Sequence, residues 1–112
     1  MVSVGYVPDR GHVVWVAFAD GWGHEQRGRR PALVVSPEAY NARSGLALVC
    51  PMTARVKGYP FEVPLDVGTV HGAVLVDQLQ SIDWRARQAR YAGRASRGTL
   101  REVQEKLRTL IE

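Results

Sequence analysis

Short apolar segments recur along the first 93 positions of the chain, and each is bounded by glycine, proline or charged residues. Segments of this length that are rich in valine and aromatic residues predict β-strands, because a helix needs a longer apolar stripe. We predict strands over residues 12–18, 31–36, 46–53, 61–65 and 73–76, with 88–93 as a final strand. A long loop, 19–29, separates the first two strands, and loops of this length in small domains are commonly functional.

The apolar spacing changes at the C-terminal end of the chain. From Thr99 onward the apolar side chains share one helical face, which comprises Leu100, Val103, Leu107, Leu110 and Ile111. Thr99 and Glu102 have the spacing of a capping box, so we expect the helix to begin there. A short helix is expected over 36–41, since Ser36 can cap it and Pro37 suits its first position. Several strands followed by one helix predict a mainly β fold with a C-terminal helix, built as a small, partly closed barrel.

The length of 112 residues predicts one domain over residues 1–112, with a single core. A chain of this size leaves much of its surface exposed, and self-association would bury more of it. The one cysteine, Cys50, has no partner for an internal disulfide, which fits a reducing cytosol. No apolar run has the length of a membrane span or of a signal peptide's apolar core, so we expect a cytoplasmic protein with no membrane contact.

Arginine dominates the charge of the chain. Thirteen of the fifteen basic residues are arginines, and the formal net charge is +4. GC-rich codon usage explains such a ratio as well as function does, but it does not explain clustering. Residues 84–101 contain six arginines and no acid. A basic face of this kind favours a polyanion as partner, and the arginine side chain binds phosphate through two parallel hydrogen bonds.

The loop before the second predicted strand holds an acid, an amide and three arginines, namely Glu25, Gln26, Arg27, Arg29 and Arg30. Like charges held this close repel each other, which suggests a phosphate site. RNA breaks when its 2′-hydroxyl attacks the neighbouring phosphate, and catalysis of that step needs a base and a cation. Glu25 is a candidate base, and Arg30 is a candidate cation because arginine stays charged at neutral pH. A solvated loop with a surface ion pair is the alternative.

Two further features suit an RNA site. Thr53 ends a predicted strand beside a basic loop, 54–59, where its hydroxyl could donate to a phosphate; ordinary strand propensity explains it equally well. Trp84 beside Arg85 and Arg87 favours stacking on a base of single-stranded RNA, and on a strand both arginines would share a face. A core tryptophan between solvated arginines is the alternative.

No metal and no cofactor are expected. The histidines at positions 12, 24 and 71 have no metal-ligand spacing, and Cys50 has no second cysteine with which to bind zinc. The sequence contains no glycine-rich phosphate loop of the Walker type.

Several short motifs, taken in order, resemble the MazF/PemK family of toxin endoribonucleases over nearly the whole chain. They are 6–11 (YVPDRG), 23–26 (GHEQ), 30–34 (RPALV), 36–37 (SP), 40–41 (YN), 57–63 (KGYPFEV), 77–78 (DQ) and 84–87 (WRAR). Each motif is short, but their order and spacing together are specific. The resemblance implies a small SH3-like or CcdB-like β-barrel with a C-terminal helix, acting as a homodimer.

The resemblance also implies an activity and the residues that carry it. It implies sequence-specific, metal-independent cleavage of single-stranded RNA (mRNA), leaving 2′,3′-cyclic phosphate and 5′-hydroxyl ends. The matching positions imply Glu25, Arg30 and Thr53 as catalytic residues. The implied RNA-binding positions are Gln26, Arg29, Lys57, Gln78, Arg85 and Arg87. A cognate MazE-like antitoxin, whose acidic tail occupies the RNA groove, is implied as a partner.

Two other functions remain open on the sequence. A CcdB-like toxin of the same fold poisons DNA gyrase without cutting RNA, and it needs a protein-binding helix end. The last three residues here, 110–112, offer no evident anchor for gyrase. A plain SH3-like binding module would bind RNA with a steep salt dependence and leave it intact.

Overall fold

The computed structural model describes residues 5–17 and 28–112. Within these ranges the chain forms seven strands, two α-helices and one 3₁₀ turn. The strands are β1 (His12–Ala17), β2 (Arg29–Val34), β3 (Leu46–Thr53), β4 (Glu62–Val67), β5 (Val70–Leu75), β6 (Gln80–Asp83) and β7 (Arg90–Arg94). Helix α1 spans Glu38–Ser44, helix α2 spans Arg97–Ile111, and the 3₁₀ turn spans Val76–Gln78. The predicted mainly β fold with a C-terminal helix is confirmed.

The strands described here pair in antiparallel fashion and form one curled sheet in the order β4-β5-β3-β2-β1-β7, with β6 paired to β3. The two outer strands approach each other, because a Cβ built on Gly93 of β7 would lie 2.5 Å from Val67 Cγ2 of β4. A Cβ built on Gly68, after β4, would likewise lie 3.6 Å from the carbonyl oxygen of Ala92. The sheet thus curls into a half-barrel, as the sequence predicts.

Both faces of the central strands are buried. On β1, Val13 belongs to a core cluster that includes Val103 of α2, whereas Val14 and Val16 belong to a second cluster that includes Trp84. Burial on both faces explains why the strand segments form continuous apolar runs. Full burial of one such side chain stabilises the fold by about 1.5–3 kcal/mol. The central strands therefore form the buried interior of the fold, and the polar residues of the candidate site lie at their ends.

Helix α1 is held in place by Asn41, which is fully buried. Its Nδ2 donates to two backbone carbonyls, at 2.8 and 3.0 Å, and its Oδ1 accepts from the Ser36 hydroxyl at 2.6 Å. The predicted cap at Ser36 is wrong, because this hydroxyl binds Asn41 and the backbone N–H of Leu48. The helix begins at Glu38, whose N–H donates to the Asp9 carboxylate at 2.9 Å. Asp9, which is 29 positions away in the sequence, thus accepts a hydrogen bond from the first turn of the helix.

Several predicted strand boundaries are wrong, and pairing between distant strands explains the differences. β2 begins at Arg29 rather than at Pro31, because its first residues pair with β1. β4 ends at Val67 and β5 begins at Val70, so the two strands extend past the predicted bounds of 61–65 and 73–76 to a tight turn at Gly68. The apolar pattern misses β6, whose residues are largely polar and which forms by pairing with β3. β7 begins at Arg90, two residues later than predicted.

Helix α2 begins at Arg97 rather than at Thr99. Ser96 caps it through a hydroxyl that accepts the Thr99 N–H at 3.1 Å, so the predicted capping box of Thr99 and Glu102 is wrong. The predicted apolar face packs on the core along its first turns, but its last residue, Ile111, is 74% exposed. None of the helices within the described ranges is long and apolar enough to span a membrane.

Candidate functional site

The ends of three neighbouring strands meet at one edge of the half-barrel, which we call the β1–β3 edge. β1 ends there, β2 begins there with Arg29, and β3 ends there with Thr53. The segment that joins β1 to β2 contains residues 18–27, which are not among the described residues. The predicted site residues Glu25 and Gln26 belong to that segment and so lie outside the described part of the chain.

Arg30 and Thr53 lie on neighbouring strands at this edge. The paired register of β2 with β3 ends at Ala32 and Pro51, and Arg30 and Thr53 lie two residues beyond this pair on their strands. Both residues are half-buried. The expectation that Arg30 lies in a loop is wrong, because the first residues of β2 pair with β1. Backbone pairing thus brings a cation and a hydroxyl to the same edge of the sheet.

Thr53 is held from two sides. Its Oγ1 accepts the backbone N–H of Arg55 at 3.0 Å, which leaves the hydroxyl proton for another acceptor. On the neighbouring strand β5, a Cβ built on Gly72 would lie 2.1 Å from the carbonyl oxygen of Thr53. A side chain at Gly72 would therefore push the two backbones apart. Because Gly72 has no side chain, the backbone of β5 can lie directly against the backbone of Thr53.

An open cavity of about 620 Å³ begins at Thr53. It is lined by Thr53, Arg55, Lys57, Gly58, Tyr59, Glu62, Leu75, Asp77 and Gln78. Three of these residues, Thr53, Lys57 and Gln78, were singled out from the sequence, and the fold brings them together. The cavity contains two cations, two carboxylates, an aromatic ring and an amide. Such a lining suits a charged ligand that also carries hydrogen-bonding edges, as a nucleotide does.

Glu62, which is not among the residues predicted for the site, holds the basic loop of this cavity. Its Oε1 accepts the backbone N–H groups of Lys57, Gly58 and Tyr59, at 3.0, 2.9 and 3.3 Å. Gly58 has a φ of +79°, a left-handed conformation that glycine adopts without strain. The basic loop therefore folds around a carboxylate of its own chain. The motif at 57–63 contains both the glycine and the acid, and this spacing is the signal that could have indicated the contact.

Tyr59 and Asp77 are joined across the cavity. The phenol of Tyr59 donates to Asp77 Oδ2 at 3.0 Å. This hydrogen bond, together with the negative charge of the carboxylate, raises the pKa of Tyr59 above its ordinary value. The phenol therefore stays protonated at neutral pH and orients the Asp77 carboxylate beside Gln78. The two residues are 18 positions apart and meet through the pairing of β4 with β5, so no local pattern predicts the contact.

Two of the predicted RNA-binding arginines connect the β1–β3 edge to the turn at residues 84–88. Arg29 donates to the backbone carbonyl of Gln88 at 2.7 Å and to its side-chain oxygen at 3.2 Å. Arg87 donates to the carbonyl of Ala17 at 3.2 Å. Neither arginine lines the cavity that begins at Thr53. Both side chains hold the turn against the ends of β1 and β2.

Trp84 is a core residue. It is 4% exposed, and its Nε1 donates to the carbonyl of Asn41 at 2.9 Å. Of the two alternatives that the sequence leaves open, the core tryptophan is therefore confirmed and stacking of Trp84 on an RNA base is wrong. Arg85 lies over the ring, with Cζ 4.8 Å from the ring centroid. Arg85 and Arg87 belong to a turn, so the expectation that they share a strand face is also wrong.

Other reactive side chains lie away from the cavity. Burial raises the pKa of the Cys50 thiol to about 12, so this residue is not a nucleophile at neutral pH. His71 contacts Asp66 at 3.1 Å on the exposed surface. Within residues 5–17 and 28–112, no three His, Cys, Asp or Glu side chains are grouped so that they could hold a metal ion.

Comparison with known proteins places this arrangement in a family context. A family model described as PemK-like, MazF-like toxin of type II toxin–antitoxin system matches residues 9–111. The endoribonuclease toxin MazF of Escherichia coli strain K12 is 45% identical over 106 residues, which cover 95% of this chain and 96% of that protein. The endoribonuclease toxin ChpB of the same strain is 39% identical over 110 residues, covering 93% of this chain and 94% of that protein.

Solved structures share the fold. MazF from Deinococcus radiodurans superposes with a TM-score of 0.86 at 53% identity, covering 96% of this chain and 98% of that chain. A MazE–MazF structure from the same organism gives a TM-score of 0.87 at 53% identity, covering 96% of this chain and 97% of that chain. The similar structures thus include a toxin alone and a toxin with its antitoxin.

Proposed function

Since the chain belongs to the PemK-like, MazF-like toxin family of type II toxin–antitoxin systems, we propose that it is a toxin endoribonuclease. Its substrate is single-stranded RNA, messenger RNA above all, which it cuts at a short sequence in the cytoplasm. The cut needs no metal, because the RNA supplies its own nucleophile in the 2′-hydroxyl. The products end in a 2′,3′-cyclic phosphate and a 5′-hydroxyl.

The observation that carries this proposal is the position of Arg30 and Thr53 on neighbouring strands at the β1–β3 edge, each two residues beyond the paired Ala32 and Pro51. A phosphate that binds between the guanidinium and the hydroxyl would lie at the mouth of the cavity that begins at Thr53. Arg55 and Lys57 add positive charge along one wall of that cavity. The adjoining nucleotide then has both a phosphate site and room for its base.

In the proposed reaction the 2′-oxygen bonds to phosphorus and the bond from phosphorus to the 5′-oxygen breaks. Glu25 is the proposed base that takes the proton of the 2′-hydroxyl, and Arg30 is the alternative. Arg30 stabilises the negative charge that develops on the phosphorane, since a guanidinium binds two oxygens at once. The Thr53 hydroxyl donates a hydrogen bond to a phosphate oxygen. The 5′-oxygen leaves as a hydroxyl group by taking a proton from water, and the proton held by the base returns to the solvent.

The remaining site residues are assigned to RNA binding. They are Gln26, Arg29, Lys57, Gln78, Arg85 and Arg87. Their side chains offer positive charge for phosphates and amide groups for base edges, which are the two kinds of contact that RNA recognition needs.

The proposed partner is a MazE-like antitoxin whose acidic segment occupies the same cavity. Relatives of this chain form MazE–MazF complexes. The cations of Arg55 and Lys57 attract carboxylates as well as phosphates, so antitoxin and RNA compete for one site.

We also assign the uncovered apolar surface at the end of α2 to a second copy of the chain. A cavity of about 410 Å³ lies there, lined by Val35, Leu48, Leu79, Gln104, Leu107, Arg108, Ile111 and Glu112. Leu79 beside β6 is 37% exposed and Ile111 is 74% exposed. Apolar side chains grouped in this way on a small domain favour self-association, because it removes them from water.

The experiment that tests the function incubates purified protein with a long unstructured RNA in EDTA and maps the 5′ ends. We expect discrete cuts with 5′-hydroxyl ends, and we expect Arg30→Ala to abolish them. RNA that stays intact at high protein excess would contradict the proposal. Cuts made equally fast by Arg30→Ala and Thr53→Ala would contradict the assigned site.

A further inference from the structure

Four of the six arginines between residues 84 and 101 have no part in the proposed site. Arg90 and Arg94 lie on β7, and Arg97 and Arg101 lie in the first two turns of α2. All four are exposed. They continue the positive surface from the turn at 84–88 along the outer strand of the half-barrel, away from the β1–β3 edge. We call these four side chains, together with Tyr91, the β7 track.

The positive charge of the β7 track is not neutralised by the chain itself. Within the described ranges, no carboxylate forms an ion pair with Arg90, Arg97 or Arg101. The first turn of α2 contains no acid, although the helix dipole favours acids and disfavours cations there. Arg97, at the start of this turn, therefore lowers the stability of the isolated helix. A bound polyanion would reverse that effect.

Tyr91 supplies an aromatic surface in the middle of the track. Its ring packs edge-on against His12, with centroids 4.9 Å apart, and against Tyr6, with centroids 6.0 Å apart. Tyr6 and His12 are themselves stacked at 5.7 Å. These contacts orient the Tyr91 ring, yet the residue remains 53% exposed. Tyr91 shares its face of β7 with Arg94, whereas Arg90 lies on the opposite face. An oriented, exposed ring beside an arginine suits the unpaired bases of a single strand, which stack on aromatic side chains.

Arg94, at the end of β7, is held in place by His12. Its Nη2 lies 3.0 Å from His12 Nε2, which fixes the guanidinium beside the aromatic group. The Asp9 carboxylate is close enough to act on Arg94 electrostatically. Its Oδ1, however, accepts the backbone N–H groups of Arg10 and Glu38, at 2.8 and 2.9 Å. The Asp9 carboxylate is therefore occupied by backbone N–H groups, and Arg94 remains able to bind a phosphate.

We propose that the β7 track binds the stretch of single-stranded RNA that flanks the cleavage site, with phosphates on the arginines and a base on Tyr91. The inference rests on the proposed RNA substrate and goes beyond it, because the cut itself needs none of these residues. From Arg90 to Arg94 an extended strand spans about 13 Å. An RNA that reaches the end of the track must therefore extend several nucleotides beyond the cut. Long single strands bind more tightly than short ones for this reason.

The test measures binding separately from cutting, by fluorescence anisotropy of labelled 2′-O-methyl RNA, which lacks the nucleophile. One strand has roughly 24 nucleotides and the other roughly six, so that only the longer one reaches the track. The track variant is Arg94→Gln/Arg97→Gln. Its matched control is Arg43→Gln/Lys106→Gln, which removes the same charge from exposed or half-exposed positions outside the track.

We expect the track variant to bind the long strand about tenfold more weakly, with a salt slope lower by about 1.4, because two phosphate contacts are lost. Tyr91→Ala should weaken binding about fivefold or more through lost stacking. The short strand and the control variant should behave like the parent protein.

Three outcomes overturn the proposal. The first is unchanged affinity of the track variant for the long strand, and the second is an equal loss in the track and control variants. The third is a loss of the same size toward duplex DNA or an acidic peptide, which would assign the track to another class of partner. If the parent binds the long strand through the track but leaves unmodified RNA intact in EDTA, the proposed endoribonuclease function fails while the track stands.

Discussion

At the scale of single residues, the hydroxyl of Thr53 allows the most direct test of the chemistry. Thr53→Val keeps the shape of the side chain and removes its proton donor, whereas Thr53→Ser keeps the donor. We expect the valine variant to slow single-turnover RNA cleavage about a hundredfold with little change in KM, since it removes one donor to the developing charge. The serine variant should retain most of the rate.

Thermal unfolding of both variants is the control for this comparison. The contact between Thr53 Oγ1 and the Arg55 N–H lies at the surface, so its loss should cost no more than about 1 kcal/mol. A valine variant that cuts as fast as the parent would remove Thr53 from the mechanism.

The lowered pKa of His12 makes the stability of the fold depend on pH. Burial lowers its pKa below the ordinary value of 6.5, and the Arg94 cation lowers it further, against the smaller opposing effects of Asp9 and Glu38. Because the folded pKa lies below the unfolded one, the unfolded chain takes up this proton first as the pH falls. The contribution of His12 is therefore complete above pH 6.5 and declines as the pH falls through 6.5 towards the folded pKa.

Urea unfolding between pH 7.5 and pH 5 measures this effect. We expect the urea midpoint of the parent to fall over that range, and we expect His12→Gln to reduce the fall. His71→Gln is the matched control, because His71 lies on the exposed surface. A pH dependence that is the same in all three proteins would show that His12 does not titrate between the folded and unfolded states in this way.

At this scale the sequence predicts a site residue correctly where the role follows from the residue's type and its motif. Thr53, Lys57 and Gln78 were singled out in this way and line one cavity. The role of Asp9 could not be predicted, because its carboxylate accepts the N–H of Glu38, which only the fold brings within reach. The role of Glu62 was missed, although the spacing within 57–63 indicates its local contacts. The stacking role predicted for Trp84 is wrong because burial, and not the residue's type, decides what its ring contacts.

At the scale of the elements, the close approach of β3 and β5 depends on one glycine. A Cβ on Gly72 would lie 2.1 Å from the Thr53 carbonyl oxygen, so Gly72→Ala must separate the two strands. We expect it to destabilise the protein by about 1–3 kcal/mol and to slow RNA cleavage as well, since Thr53 shifts with its strand. Chemical denaturation and single-turnover cleavage measure the two effects.

Gly98 provides the matched control for this substitution. It lies in α2, and a Cβ there would meet nothing within 4 Å. Gly98→Ala should therefore stabilise the protein by about 0.5–1 kcal/mol, because alanine favours the helix, and it should leave cleavage unchanged. Equal effects of the two substitutions would mean that the close approach at Gly72 does not determine the position of Thr53.

The elements themselves were predicted unevenly. β3 has the predicted bounds, 46–53, because a continuous apolar run with a clear turn on each side defines it. β6 was missed, and β2 and α2 begin earlier than predicted, since cross-strand pairing and the cap at Ser96 extend these elements past their apolar cores. The half-barrel was predictable because many short strands followed by one helix allow few other architectures.

At the scale of the whole molecule, the apolar surface at the end of α2 predicts the state of association. The chain has a mass of 12.4 kDa, and we expect light scattering to give twice that value. Ile111→Glu should shift the protein towards the single chain, because it puts a charge into the surface that we assign to a second copy. Tyr40→Glu, at an exposed aromatic on α1, is the control and should leave the mass unchanged.

A single chain at all concentrations in the parent protein would contradict the proposed dimer. A dimer that survives both Ile111→Glu and Leu79→Glu would place the contact on another surface.

The pairing of β1 with β7 also determines when the fold can be completed during synthesis. The first described strand takes its outer neighbour from residues 90–94, and Arg29 is held by the backbone at position 88. Contacts between residues so far apart in sequence are slow to form and cannot begin until nearly the whole chain has been made. A ribosome would therefore release the last quarter of this chain before the β1–β3 edge took its final shape. The delay would separate production of the polypeptide from the onset of its activity.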